Sequence, residues 1–380
     1  MLYHLLRYLF EGRHYAYENV VFRGTCAALV CFGLALLFFP TVIRQLVKWK
    51  LGDRPQFDHA SLNELTRDKS NVPTMGGAMI LLSIAFAVLL LADLGNFYVR
   101  MALVCLAWLG GVGAVDDWLK LTAGRRQASR DGLKMYEKLL FQIGLAVVLG
   151  FYIYKYGQSN FVVLSPFVSP GTAPAYKVLS VPFYKAGLQL GSLAFMVITV
   201  MVMTATSNAV NLTDGMDGLA SGCVAICALV FGILTYIVGT EELAGRLLLL
   251  HVPKSSELVI LCGAILGACL GFLWYNCHPA RVFMGDTGSL PLGGLIGYIA
   301  VVTRQELMLL IAGGVFVVEA LSVLAQIGYF KWTGGRRLLR CAPFHHHLHL
   351  SGWSEPQTVV RLWLVAAMFA GLALATIKLR

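Results

Sequence analysis

Charge is what this chain of 380 residues has least of. Asp, Glu, Lys and Arg together make up 13% of it, while 58% is hydrophobic. A soluble domain carries about a quarter charged residues, so a soluble globular protein is excluded and a polytopic membrane protein is expected. Acids are scarcer still, 20 against 30 Lys and Arg. In a membrane protein such a basic excess first reports cytoplasmic loops and anionic headgroups, so the lipid bilayer and not nucleic acid is the expected partner. The nine cysteines form no CxxC pair, and most lie in apolar runs. That excludes a zinc framework or a disulfide scaffold and leaves small buried hydrophobes. The stretch Met1 to Arg23 is polar and aromatic, with Glu11 and Glu18, and lacks the compact apolar core of a signal peptide. Internal repeats, low-complexity tracts and linkers are also missing, so residues 1–380 read as one integral domain.

What is present in abundance is apolar runs. A spanning helix needs about 20 mostly apolar residues. Ten stretches qualify, near 22–47, 75–94, 98–115, 134–156, 188–207, 218–239, 257–276, 287–303, 306–330 and 359–379. The expected fold is therefore all-α with about ten transmembrane helices. The eighth stretch is short and Gly-rich, and the ninth contains Glu319. Lysines and arginines crowd the connections after the first, third and ninth spans (Arg44, Lys48, Lys50, Arg54, Arg67, Lys69; Lys120, Arg125, Arg126, Arg130, Lys134; Lys331, Arg336, Arg337, Arg340) and are sparse in 157–187 and 240–256. The positive-inside rule makes the first set cytoplasmic and both termini periplasmic. The loops 48–74, 116–133, 208–217, 277–286 and 331–358 then share the cytoplasmic side, and every polar cluster of the chain falls in them. One active face built by convergent loops is expected. The outer loop 157–187, with Phe161–Leu164 and Tyr176–Leu179, suggests a small periplasmic β-hairpin. A short amphipathic helix is expected within 240–256.

The densest cluster is Asn208-Ala-Val-Asn211-Leu-Thr-Asp214-Gly-Met-Asp217-Gly218, set between two membrane-length apolar runs. Polar groups there are costly in lipid and point to an interfacial site for a hydrophilic ligand. Asp214 and Asp217, three apart, would share a face if the turn is helical. As hard oxygen donors they suit Mg²⁺ or phosphate-bound Mg²⁺. Asp116-Asp117 closes the third span. Its readings are metal ligand, general base or nucleophile, or else a cap paired with Lys120 and Arg125. Gly285-Asp286-Thr287-Gly288-Ser289 precedes an apolar helix and reads as a phosphate or metal loop with exposed amides. Asp286 is then a metal ligand or a cap, and Thr287 or Ser289 could cap instead. Asn276 and Phe283 precede it, Phe283 as a platform for a flat base or as a lipid-facing ring. His345-His346-His347, with His349, suits phosphate contacts better than zinc, because consecutive histidines cannot all point one way. Lys69, before Pro73-Thr-Met-Gly-Gly77, and Lys138, one turn into an apolar helix, either snorkel or meet an anion. Together these groups suit the joining of a nucleotide-activated group to a lipid phosphate, with a metal bridging the diphosphate.

Pro73-Thr-Met-Gly-Gly77, Asp116-Asp117, Asn208-x-x-Asn211-x-x-Asp214-Gly-x-Asp217-Gly-Leu219, Asn276-x-x-Pro279-Ala-x-Val-Phe-Met-Gly-Asp286-Thr-Gly-Ser-Leu290 and Pro343-Phe-His-His-His347 resemble the motifs of the polyprenyl-phosphate N-acetylhexosamine-1-phosphate transferases. The resemblance covers nearly the whole chain, and the triple histidine matches the muramoyl-pentapeptide branch. It implies a bacterial inner-membrane enzyme with its site facing the cytoplasm. That enzyme would convert UDP-N-acetylmuramoyl-pentapeptide and undecaprenyl phosphate to UMP and lipid I, the first lipid intermediate of peptidoglycan synthesis, with Mg²⁺. By position, the resemblance makes Asp286 the Mg²⁺ ligand, with Asp214 a second candidate, and puts Asp116 and Asp117 by the lipid phosphate. It makes Asn211, Asp214 and Asp217 active-site and nucleotide residues, with Asn276 and Phe283 beside the uridine. Lys69, Lys120 and Lys138 would face phosphates, and His345, His346 and His347 would join the catalytic set. A homodimer rests on the likeness alone. The chain departs from the family at Asn71-Val72, where Gly-Thr is usual, and at Leu348-His349, where Phe-Glu is usual; the second change removes an acid near the site. Two rival readings are transfer of N-acetylglucosamine phosphate and membrane transport.

Overall fold

A computed structural model describes residues 1–10, 16–49, 69, 72–125, 132–157, 174–183 and 187–377. Among them, eight helices are long and apolar enough to cross a membrane. After a short amphipathic helix, α1 (Leu2–Leu9), come α2 (Val20–Lys48), α3 (Gly77–Leu91), α4 (Phe97–Arg125) and α5 (Met135–Tyr156). A two-stranded ribbon, β1 (Val178–Leu179) and β2 (Leu188–Gln189), leads into α6 (Ser192–Thr213), α7 (Leu219–Gly239) and the short α8 (Glu241–Arg246). The chain ends in α9 (Leu258–Asn276), α10 (Asp286–Thr303), α11 (Glu306–Ala312), α12 (Gly314–Trp332), α13 (Phe344–Leu350) and α14 (Glu355–Thr376).

Each apolar stretch of the sequence holds one of these helices, but several boundaries differ. The stretch near 306–330 is broken at Gly313 into α11 and α12. Helix α4 continues past residue 115 to Arg125, so Asp116, Asp117 and Lys120 sit on a helix and not in a loop. Likewise α6 runs to Thr213 and carries Asn208 and Asn211. The hairpin forms from Val178–Leu179, but its antiparallel partner is Leu188–Gln189. That partner was read as the start of the fifth span, which begins instead at Ser192; Phe161–Leu164 lies outside the described residues. The amphipathic helix expected within 240–256 is α8.

The core is layered around α10, every residue of which is buried. It packs against α4, α6 and α7, while α9 packs against α2 and α7. This explains how a Gly-rich, weakly apolar helix is stable: protein surrounds it on all sides. The N-terminal end of α10 meets the C-terminal ends of α4 and α6. The opposite end is fixed by buried ion pairs. Arg304, fully buried, pairs with Glu306 and donates through Nε and Nη2 to the Val178 carbonyl at 3.0 and 2.9 Å, tying the hairpin to the bundle. Arg23 makes a two-pronged pair with Glu257 at 2.5 and 3.0 Å. At the end where α10 begins, Trp49, Trp118, Trp274 and Trp332 are all exposed. Tryptophan favours the membrane–water boundary, and this girdle marks the level of the interface on that side.

Candidate functional site

The beginning of α10 is where the sequence clusters converge. Gly113 of α4 allows this: a Cβ there would meet the Asp286 carbonyl at 2.2 Å, so α4 and α10 touch backbone to backbone. The chain then turns through Gly285 in the left-handed region, φ 73°, a conformation glycine adopts without strain. Asp117 caps the helix that follows. Its Oδ1 accepts the Asp286 amide at 3.1 Å, and its Oδ2 accepts the Thr287 amide at 2.9 Å and hydroxyl at 2.6 Å. The cap therefore comes from another helix and not from Thr287 or Ser289. The Gly288 and Ser289 amides are engaged by the Gly285 carbonyl. The amides expected to cradle phosphate are thus already satisfied.

Asp116, fully buried, faces the other way. Its Oδ1 accepts the Leu133 amide at 2.7 Å, and its Oδ2 pairs with Lys120 Nζ at 2.7 Å and Lys138 Nζ at 2.9 Å. The same two lysines reach Asp286 Oδ2, at 3.3 and 2.6 Å, while Asn211 donates to Asp286 Oδ1 at 2.8 Å and to Ser289 Oγ at 2.9 Å. Burial would raise the Asp286 carboxyl, but the hydrogen bond with Asp116 and the charges of Lys120 and Lys138 outweigh it and hold the group below the usual carboxylate range. Asp116, Asp117 and Asp286 bring ligand oxygens within 4.8 Å of one another. Clustered hard oxygens of this kind can hold a divalent cation.

A second cluster lies across the same cavity. Lys69 Nζ binds Asp217 Oδ1 and Glu355 Oε1, each at 2.5 Å. Asp217 Oδ2 accepts the Ala280 amide at 3.0 Å and meets His278 Nδ1 at 3.1 Å, and Glu355 Oε1 also takes the Asp217 amide at 2.8 Å. Asp214 and Asp217 do not share a helical face. Asp214 ends α6 with non-helical dihedrals, and residues 214–218 form a turn. Burial, then the charges of Asp286, Asp117 and Asp217, push the Asp214 carboxyl well above its ordinary range. Asn276 is buried and committed to scaffolding: it accepts the Gly218 amide at 3.0 Å and donates to the Val282 carbonyl at 2.9 Å. Phe283 is half-buried, its ring centre 6.0 Å from Lys69 Nζ. Lys69, Asp117, Lys120, Asn211, Asp214, Asp217, Asn276, Phe283 and Asp286 all line one cavity of about 280 Å³. Lys138 and Asp116 stand behind it.

The three histidines diverge on α13. His345 and His346 are buried, with ring centres 4.2 Å apart. His345 Nδ1 meets Glu319 Oε2 at 3.1 Å, and His347 Nδ1 accepts the Arg340 amide at 3.2 Å. Burial, His345, His349 and Lys69 push His346 down to about 3, so the run is not the uniformly basic patch its composition suggests. His349 Nδ1 contacts the Trp353 carbonyl at 2.9 Å, and His349 does not line the cavity.

The matched family model is glycosyl transferase family 4, over residues 99–304, more than half of the chain. The chain is 41% identical to the phospho-N-acetylmuramoyl-pentapeptide-transferase of Desulfotalea psychrophila, with all of both chains aligned. It is 40% identical to that of Desulfosudis oleivorans, also over the whole of both chains. The transferase of Thermodesulfovibrio yellowstonii is 41% identical, over 96% of this chain and 95% of the relative. This chain belongs to the phospho-N-acetylmuramoyl-pentapeptide-transferase family. It is a multi-pass membrane enzyme of phosphoglycosyl transfer.

Glu355 and His278, in this transferase's cavity region, carried no signal in the sequence; Glu319 showed only as an acid in an apolar span, and Thr287 as a possible cap and not as the capped residue. Glu355 opens α14 beside a Ser354–Gln357 capping box, where an acid reads as ordinary helix chemistry. Its distance from Lys69 in sequence left no local signal.

Proposed function

We propose that the protein transfers phospho-N-acetylmuramoyl-pentapeptide from UDP-N-acetylmuramoyl-pentapeptide to undecaprenyl phosphate, releasing UMP and forming lipid I, at the cytoplasmic face of a bacterial inner membrane. The observation that carries this reading is the meeting of two acid–lysine clusters, an aromatic ring and two carboxamides on one cavity beside the tryptophan girdle. A water-soluble diphosphate and a membrane-held phosphate could both reach that position. The lysine-rich connections support a position on the inner side, with about ten spans and both termini outside.

In this reading Lys69, Phe283, Asp217 and Asn276 form the nucleotide end, where Phe283 offers a face to the base and Asn276 holds the turn at Gly218. Lys120 and Lys138 form the phosphate end. The donor set of Asp116, Asp117 and Asp286 suits Mg²⁺, a hard cation that takes oxygen ligands, with Asp214 in reserve. When bound it would supply charge neutralisation at the diphosphate. A phosphomonoester has a second pKa of about 6, so the lipid phosphate is largely dianionic at neutral pH and attacks without a strong base. An oxygen of that phosphate bonds to the sugar-linked phosphorus, the diphosphate P–O bond breaks, and the electron pair leaves on UMP. Asp286 and Asp116, with the two lysines between them, orient the phosphates. Asp117 acts by holding the first turn of α10 in place.

The direct test uses detergent-purified protein, undecaprenyl phosphate and Mg²⁺ with a panel of UDP-sugars, reading UMP. Release only with the muramoyl-pentapeptide donor is the expected result. Release with UDP-N-acetylglucosamine would move the protein to the sister reaction, and no release with any donor would return the transport reading.

A further inference from the structure

Glu319 lies on the second turn of the apolar helix α12 and has no exposed surface. An unpaired carboxylate there would be costly. Its partner is His345: Oε2 accepts from the His345 backbone amide at 3.3 Å and from Nδ1 at 3.1 Å. Both side chains are completely buried. Two contacts from one oxygen fix the ring plane as well as its position, and a proton on Nδ1 leaves Nε2 as the working atom.

That atom is buried and has no hydrogen-bond partner among the described residues. Its direction is set by Gly215: a Cβ built on Gly215 would lie 2.3 Å from His345 Nε2. Gly215 is exposed and lines the cavity between Asp214 and Met216. His345 Nε2 therefore packs against the bare backbone of Gly215, which separates it from the cavity. Buried polar atoms are seldom left unsatisfied without a reason, and a ligand oxygen at this point would satisfy this one.

We propose that Glu319 is a positioning residue for the transfer: through Nδ1 it orients His345 so that Nε2 contacts a phosphate oxygen of the bound nucleotide diphosphate beside Gly215. This rests on the function proposed above. His345 is the group that touches substrate, and Glu319 acts only through it. The pair resembles a carboxylate holding an imidazole in the correct tautomer, where the carboxylate itself never meets the substrate.

The test is a double-mutant cycle on UMP release, with kcat and KM for the muramoyl-pentapeptide nucleotide measured on detergent-purified protein. Glu319→Gln, which keeps size but loses the charge, is expected to lower kcat at least about tenfold while KM changes by less than about twofold, the pattern of an interaction made mainly in the transition state. Glu319→Asp is expected to recover part of the loss. In a His345→Gln background, Glu319→Gln is expected to add nothing, and Gly215→Ala is expected to reproduce the kcat loss by blocking Nε2. Wild-type kcat and KM in Glu319→Gln would overturn the proposal. So would losses that multiply fully in the double variant, because a merely structural carboxylate would act independently of the ring. If Glu319→Gln does not yield folded protein, the Gly215→Ala and His345→Gln pair carries the same test: full multiplication of their losses overturns the contact. Absence of UMP from the wild-type protein with every donor would instead be the failure of the proposed function.

Discussion

Asp117 Oδ2 accepts both the amide and the hydroxyl of Thr287, at 2.9 and 2.6 Å, so a residue of α4 closes the first turn of α10. This geometry makes Asp117 the fastener of the turn that carries Asp286. Thr287→Val removes one donor of order 1 kcal/mol without touching any ionisable group, and a severalfold fall in UMP release is the expected outcome. Unchanged turnover in Thr287→Val alongside a dead Asp117→Asn would mean that Asp117 works as a base and not as a cap.

Lys138 bridges the carboxylates of Asp116 and Asp286 at 2.9 and 2.6 Å. Removing one member of a buried charge cluster leaves the rest uncompensated. Lys138→Met is therefore expected to lower the thermal unfolding temperature. Added Mg²⁺ should raise that temperature more than in the wild type, since two acids then compete for one lysine. Thermal scans with and without Mg²⁺ measure this; equal Mg²⁺ responses in the two proteins would count against a cation at these acids.

Glu355 shares Lys69 with Asp217 and takes the Asp217 amide. Glu355→Gln is expected to raise KM for the nucleotide severalfold, with a smaller change in kcat, because Lys69 and the turn at Asp217 lose a common anchor. Steady-state kinetics on the purified variant read the split.

Much of this site could be read from the sequence because its residues come in tight runs. Asp116-Asp117, Asn211 to Asp217 and Asn276 to Asp286 each place several polar groups against apolar helices, which in a membrane protein is costly without a purpose. What could not be read depends on long-range closure. Asp117 caps a helix 169 residues later, and Glu355 meets a lysine 286 residues earlier. Glu319 stood out only as a blemish in an apolar span. Helical phase misled at Asp214 and Asp217, since α6 already ends at Thr213 and the turn that follows closes through Gly218 at φ 83°. The hairpin partner was misplaced because Leu188–Gln189 adjoins an apolar run and reads as part of it.

Asp214 gives a pH-dependent prediction. Burial and three neighbouring acids raise its pKa in the folded state, so the folded protein binds this proton more tightly than the unfolded chain does. The resulting stability is fully present below the unfolded carboxylate pKa and is lost as pH rises through the raised folded value. Above the unfolded carboxylate pKa, this preference for the protonated form therefore costs the fold stability. Asp214→Asn is expected to raise the unfolding temperature near neutrality, with the gain fading towards acid pH, and to abolish UMP release. Thermal scans across pH test the sign.

At the far end, Arg304 and Glu306 form a fully buried pair. Arg304→Met breaks it and frees the Val178 carbonyl, at a cost of about 3–5 kcal/mol. The folded fraction is expected to keep its nucleotide KM, since this pair lies at the opposite end of α10 from Asp286.

The central claim is that both substrates meet at one cation-bearing cavity on the inner face. Its most direct test is transfer of sugar-labelled UDP-N-acetylmuramoyl-pentapeptide into a lipid product by protein reconstituted in sealed vesicles containing undecaprenyl phosphate, with the exposed face fixed by labelling Cys277. Labelled lipid and UMP are expected only when Mg²⁺ and donor are supplied to the Cys277 side. Lipid product formed from donor confined to the other side, or none from either, would contradict the account.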